Sequence, residues 1–417
     1  MTRWLGCLVL VAIAPACIAL PSVIGEGAES SDGAAASGDE EHDTDGATGV
    51  VEGSGGEDPC AAGCTAPPPG VVLDAPAHAL ELEASQTPVV LFAREDAAPL
   101  LQRFSSELEP SAAAFAVDVP ADEPFGSFVI SPSGRAGLAF VGDELSVEID
   151  RLSDDLTHAR WTAHDGPMTG FEDVGAIFRT DTVQVPSDDS VRLAVSFNYE
   201  SYGVRGGGYY FMRYRDGSSD GASGLSTPST PCTGMFLVGD GDDATESPYV
   251  SLWSLSNDGT AARHYWVSGG ADTYVTTPGA RALAPVRFGG GYLQSGAASD
   301  AGGVWLQRVD ASFIADEPVF DPPAAGPTPM PLWTTAVDDR IFVLASETTI
   351  DGVGLSLREY DANAALVDVV GIDPIVAGAS AIAIVDVAVA SDGSIYALGH
   401  DTPAAGDPVH WLRRIVP

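Results

Sequence analysis

Ala381-Ile-Ala-Ile-Val-Asp-Val-Ala-Val-Ala-Ser-Asp-Gly-Ser-Ile-Tyr-Ala-Leu-Gly399 is the stretch from which the rest of the chain can be read. Apolar runs flank Ser391-Asp392-Gly393, residue types that close tight turns, so Val387 to Leu398 is expected to form a β-hairpin. Downstream, Leu412-Arg-Arg-Ile415 sets an apolar residue, two others and a second apolar residue. The pattern returns at Leu101-Gln-Arg-Phe104, Ile149-Asp-Arg-Leu152, Phe211-Met-Arg-Tyr214, Leu252-Trp-Ser-Leu255, Leu306-Gln-Arg-Val309 and Leu357-Arg-Glu-Tyr360. Successive copies end 48, 62, 41, 54, 51 and 55 residues apart. A period of roughly 40 to 50 residues is that of propeller and kelch repeats.

Residues three apart in a strand point to opposite faces. Each aligned strand is therefore apolar on both sides, as a blade between two neighbouring blades must be. Hairpins precede the motif at Ala79 to Arg94, Phe128 to Val141 and Thr182 to Phe197, and Ala365 to Gly371 supplies a following strand. The fold class is all-β: a β-propeller of about seven four-stranded blades over residues 71–417. Its fourth blade, near Cys232 to Leu255, is the least regular, and six blades is the alternative. Five of the seven motifs carry Arg before the second apolar position, namely Arg103, Arg151, Arg213, Arg308 and Arg414. Recurrence within one chain points to a structural role for them, such as an inter-blade pair.

The last motif strand, His410 to Val416, runs to the end of the sequence, so its blade is expected to lack an outer strand of its own. An open apolar edge invites aggregation. Val71-Val72-Leu73, which precedes the first hairpin and belongs to no blade, is the candidate to cover it.

The 381–399 stretch, with its apolar strand, Asp-Gly turn and aromatic-containing second strand ending in Gly, resembles the repeat of secreted bacterial β-propeller-repeat proteins. The resemblance implies fold and export. That family has no shared catalytic residues to carry over.

Arg3 followed by an apolar run from Trp4 to Ile13 and by Ala14-Pro15-Ala16 reads as a signal peptide, residues 1–16. A membrane span over Trp4 to Ile24 is the competing reading. Cys17 stands where a lipoprotein carries its lipidated cysteine, although Ala14-Pro15-Ala16 also fits simple secretion. Two acyl chains give stable anchoring where one gives only marginal binding. The protein is thus expected to be exported, as an outer-membrane or surface lipoprotein or as a periplasmic or secreted protein. Residues 17–70 are read as a tether, because their Gly, Ser, Ala, Asp and Glu offer too little apolar surface to offset ordering entropy.

The net charge is -40, all 19 basic residues are Arg, and Lys is absent. Phosphate binding needs clustered cations, so nucleic acid is excluded as a partner. A GC-rich genome or an acidic, salt-adapted surface explains the composition. Cys60, Cys64 and Cys232 are disulfide candidates in an oxidising compartment. Asp240, Asp242, Asp243 and Glu246 supply hard oxygens for calcium without EF-hand spacing.

Gly217-Ser218-Ser219-Asp220-Gly221 fits the G-x-S-x-G pattern, but a nucleophile elbow needs a following helix and none is legible. The seven His form no short-spaced metal pair. The loops between second and third strands carry acids, among them Glu95, Asp96, Asp143, Glu144, Asp300, Glu347, Asp351, Asp401 and Asp407, and an acidic rim is expected. The favoured function is a monomeric binding or scaffold module for a protein or glycan at the cell envelope, touching the membrane only through its lipid. The alternative is an extracellular glycosidase, lyase or quinone-dependent dehydrogenase with carboxylates in the funnel. No cofactor other than calcium is suggested, and the catalytic residues are unknown.

Overall fold

A computed structural model describes residues 70–417 except 93–97, 118–125, 132, 142–145, 166–176, 186–187, 202–203, 228–234, 239–250, 256–259, 266–272, 277–280, 300–301, 311–313, 322–327 and 350–351. Every regular element among the described residues is a strand. After β1 (Gly70–Val72), sheet I holds β2 (Ala77–Leu82), β3 (Pro88–Phe92), β4 (Leu100–Arg103) and β5 (Phe115–Ala116). Sheet II holds β6 (Gly126–Ile130), β7 (Ala136–Val141), β8 (Val147–Leu152) and β9 (Ala159–Asp165). Sheet III holds β10 (Ile177–Gln184), β11 (Val191–Ser201), β12 (Val204–Arg215) and β13 (Ser218–Thr227). Sheet IV holds β14 (Met235–Val238), β15 (Ser251–Leu255), β16 (Thr260–Tyr265) and β17 (Thr273–Thr276). Sheet V holds β18 (Arg281–Ala282), β19 (Val286–Phe288), β20 (Gly291–Ser299), β21 (Gly302–Val309) and β22 (Val319–Phe320). Sheet VI holds β23 (Met330–Val337), β24 (Arg340–Thr349), β25 (Gly352–Tyr360) and β26 (Leu366–Ile372). Sheet VII holds β27 (Ala381–Val389), β28 (Ile395–Thr402) and β29 (Val409–Ile415), with β1 as its fourth strand.

All pairings are antiparallel, as hairpin connections allow. The motif strands at 101–104, 149–152, 211–214, 306–309, 357–360 and 412–415 are the third strands of their sheets. Leu252 to Leu255 departs from this, because β15 is the second strand of sheet IV. An apolar-x-x-apolar pattern suits any strand buried on both faces, so the pattern alone does not fix a strand's rank.

The two apolar positions of four motifs serve different interfaces. Leu101 lies in the core shared by sheets I and II, whereas Phe104 lies in the core shared by I and VII. Ile149 and Leu152 divide likewise between the II/III and I/II cores. Leu357 and Tyr360 divide between VI/VII and V/VI, and Leu412 and Ile415 between VII/I and VI/VII. Each fully buried Leu, Ile or Phe contributes about 1.5–3 kcal/mol. Among the described residues, sheets I and II, II and III, V and VI, and VI and VII are thus held face to face, and the last sheet packs on the first. The arrangement is propeller-like.

β1 supplies the missing edge of sheet VII. Gly70, Val71 and Val72 stand opposite Arg413, Leu412 and Trp411, and the Leu73 N–H donates to the His410 carbonyl at 2.9 Å. The expected partner of the last motif strand is therefore the observed one.

Turn geometry repeats as well. At Ser105–Glu109 and Asp361–Ala365 the first residue's N–H donates to the fifth's carbonyl, and Leu108 and Ala364 take positive φ. The Ser105 hydroxyl accepts from the Glu109 N–H at 3.2 Å, and the Asp361 carboxylate accepts from the Ala365 N–H at 2.9 Å. Asp310 does the same to Ile314 at 2.9 Å. A Ser or Asp directly after the motif closes the hairpin to the fourth strand by bonding its own backbone.

Candidate functional site

Three of the recurrent arginines reach from the third strand to the next sheet, whereas Arg414 bonds Asp392 and Ser394 of its own sheet VII. Arg103 donates to the Asp155 carbonyl of sheet II at 2.7 Å, and Arg308 to the Ala362 carbonyl of sheet VI at 3.1 Å. Arg151 reaches Asp189 of sheet III at 2.8 Å. The inter-sheet role expected of this row holds for these three.

At Arg151 the row opens into a cavity of about 560 Å³. Ser133 and Arg135 reach it from the β6–β7 turn, Arg151 and Asp154 from the end of β8, Arg160 from β9, and Asp189 from the turn before β11. The Arg151 side chain is fully buried, and Arg160 is 48% exposed at the mouth. The four charges alternate: Arg151 lies 3.6 Å from Asp154, and Arg160 lies 3.7 Å from Asp154 and 3.5 Å from Asp189. Asp189 is held in the left-handed region at φ 63, where the matching turns of sheets II and VII have Gly134 and Gly393.

A second group of ionisable residues sits on the first strands of sheets VII and I. Asp386 of β27 accepts from the Leu80 N–H at 2.9 Å. Burial pushes the Asp386 carboxyl up to about 6 against the pull of the Leu80 and Val387 N–H groups. Burial first, and the charge of Asp386 second, hold Glu81 of β2 well above the usual carboxylate range, opposed by a bond from the Ile130 backbone. Each acid bonds the backbone of the following sheet. In sheet II burial also raises Asp150 to about 6, its bond from Thr162 lowering it and Glu148 raising it.

These three acids are neutralised more easily folded than unfolded, so their contribution to stability is fully present below the unfolded carboxylate range, and that of Asp150 and Asp386 is lost as pH rises through about 6. Asp155, Asp188, Asp361 and Asp392 have lowered values, and their contribution is lost as pH falls below about 4. The melting temperature is therefore expected to rise from pH 7.5 to pH 5 and fall below pH 4. Thermal scans of wild type and an Asp150→Asn, Asp386→Asn variant check this: the variant should lose much of the rise, and a wild type most stable at pH 7.5 would contradict it.

His400 and His410 stand opposite each other on β28 and β29, with ring centroids 5.2 Å apart, and burial lowers both. Ten residues separate them in sequence, so only strand register pairs them. His158 is exposed beside Thr157 and Asp155, and His164 lies 3.6 Å from Glu148. Among the described residues no group of three or more His, Cys, Asp or Glu is placed to hold a metal.

The acidic rim needs correction at two positions. Glu347 bonds Arg358 and Ser356, and buried Asp401 accepts from the Trp411 indole at 2.7 Å and the Val376 N–H at 2.9 Å. Asp407 is exposed, as expected. Ser218, in the G-x-S-x-G run, opens strand β13 and not a helix. Cys17, Cys60, Cys64, Cys232, Asp240, Asp242, Asp243 and Glu246 lie outside the described residues, as do Glu95, Asp96, Asp143, Glu144, Asp300 and Asp351.

No protein-family model matches the chain, and no curated protein does. Among solved structures, a chain from the crystal structure of a mitotic checkpoint complex is similar over 89% of this chain and 98% of its own, at 14% identity and a TM-score of 0.49. Similarity of that order assigns no family, partner or activity.

Proposed function

We propose that the protein is an exported, lipid-anchored binding module whose body is a closed propeller of seven blades. The arginine-lined cavity between sheets II and III carries the binding reading: a chain of net charge -40 gathers three of its 19 arginines there. A protein or glycan of the cell envelope is the partner class that suits an exported, tethered module. The tether, residues 17–70, would set the body's distance from the membrane, and the resemblance of residues 381–399 to secreted propeller repeats supports export.

Two experiments test this reading. A clickable fatty acid should label wild type and not Cys17→Ser, and equal labelling of both, or of neither, would sink the anchor. Binding of the intact protein to isolated envelope polysaccharide and envelope protein fractions should be saturable and weakened by Arg160→Gln. No retention on either fraction would overturn the module.

The acids Glu81 and Asp386 favour the second reading, an extracellular glycosidase, because glycoside hydrolysis uses two carboxylates with separated proton affinities. Their bonds to the Leu80 and Ile130 backbone fit inter-sheet ties equally well. Hydrolysis of an envelope glycan, abolished by Glu81→Gln, would move the assignment to enzyme.

A further inference from the structure

The geometry points to the Arg151 cavity as a site for one oxyanion group: the carboxylate, sulfate or phosphate of an acidic saccharide, or the free inorganic ion. This rests on the binding reading and names the chemistry it would recognise.

Arg151 decides the matter. Its Nε donates to Asp189 at 2.8 Å, and its Nη1 is taken up by the Ala136 and Leu152 carbonyls. Its Nη2 is buried with no hydrogen-bond acceptor, and the Asp154 carboxylate lies 3.6 Å from it. Charge-assisted N–H···O bonds are about 2.7–2.9 Å long, so neither this approach nor those of Arg160 at 3.5 and 3.7 Å makes one. A buried donor without an acceptor is costly, because it has lost its water and gained no partner. The cavity that Arg151 lines is polar and large enough for a sulfate or a sugar acid.

Arg160 shares Asp154 and Asp189 with Arg151, and Ser133 and Arg135 line the same cavity. Three of the lining residues are arginines and two are aspartates, which suits an acidic group better than a metal cation. Asp189 fits the same picture. Holding a non-glycine residue in the left-handed region is unfavourable, and here the residue gained is a carboxylate that bonds the Arg151 Nε. Asp189 is thus a positioning residue, fixing the Arg151 guanidinium at the cavity.

Calorimetry on the full chain, at an ionic strength fixed with sodium chloride, should use sodium sulfate, inorganic phosphate, sodium glucuronate and neutral glucose. Saturable binding of at least one anion is expected, with none for glucose. Arg160→Gln should weaken it at least about tenfold, since hydrogen bonds to charged groups are worth about 1.5–3 kcal/mol. Arg308→Gln, at an exposed arginine outside the cavity, should bind like wild type. Glucuronate stronger than the inorganic ions assigns the site to an acidic saccharide, and the reverse order assigns it to the free ion. No saturable heat with any anion, or equal binding by Arg160→Gln and Arg308→Gln, would overturn the site. Retention on neutral envelope fractions would then still stand, so this failure is separable from failure of the module.

Discussion

Arg358→Ala is expected to destabilise the protein by about 3–5 kcal/mol, the cost of breaking a buried ion pair by removing one partner. The Arg358 side chain is 5% exposed and that of Asp321 is 2%. Nε and Nη2 of Arg358 meet the same Asp321 oxygen at 3.0 and 2.5 Å, while Nη1 reaches Glu347 at 2.9 Å. The Tyr360 hydroxyl donates to that Asp321 oxygen at 3.1 Å, and burial, then the Asp321 charge, keep it protonated far above the usual tyrosine range. Asp321 follows β22 of sheet V, and its N–H is bonded to the Val304 carbonyl at 2.9 Å. The cluster therefore clasps sheet V to sheet VI beside their shared apolar core. With alanine at 358, Asp321 stays buried with its charge opposed only by a phenol. Arg308 is the control, since its pair with Asp316 is 46% and 56% exposed and such pairs are worth about 0–1 kcal/mol. Urea unfolding of both variants measures the difference, and equal midpoints would contradict the clasp. An Arg358→Met, Asp321→Leu double variant should recover much of the loss, because apolar replacement of both partners removes the unpaired charge.

The fold was legible because the signal was local and repeated. Hairpins at Ala79, Phe128, Thr182 and Val387 could be read from turn residues between apolar runs, and the two-faced motif strands from residues three apart. The rank of β15 was not legible, since strand order depends on pairing partners that an isolated apolar pattern does not name. The Ser or Asp after the motif, at 105, 310 and 361, was a second repeat in plain view, obscured because either residue closes the turn.

The site was much less legible. Arg151, Asp154 and Arg160 lie within ten residues of one another, but Asp189 joins them only through the contact of sheets II and III. Glu81 and Asp386 are 305 positions apart and meet only because sheet VII packs on sheet I. Charge composition pointed the other way, as a net of -40 hides a local cluster of three cations.

The central claim is that the two ends of the body fasten each other, β1 completing sheet VII while Leu73 enters the core shared with sheet I. Two truncations test it most directly. Removing residues 18–65 spares β1 and should leave the melting temperature nearly unchanged. Removing 18–76 takes away β1 and Leu73, and should cost at least about 3 kcal/mol from lost apolar burial and backbone hydrogen bonds. It also bares the β29 edge, so this variant should associate in sedimentation where the shorter deletion does not. A clear gap between the two melting curves, with association of the longer deletion alone, is the predicted result; superimposable curves would contradict the closed propeller.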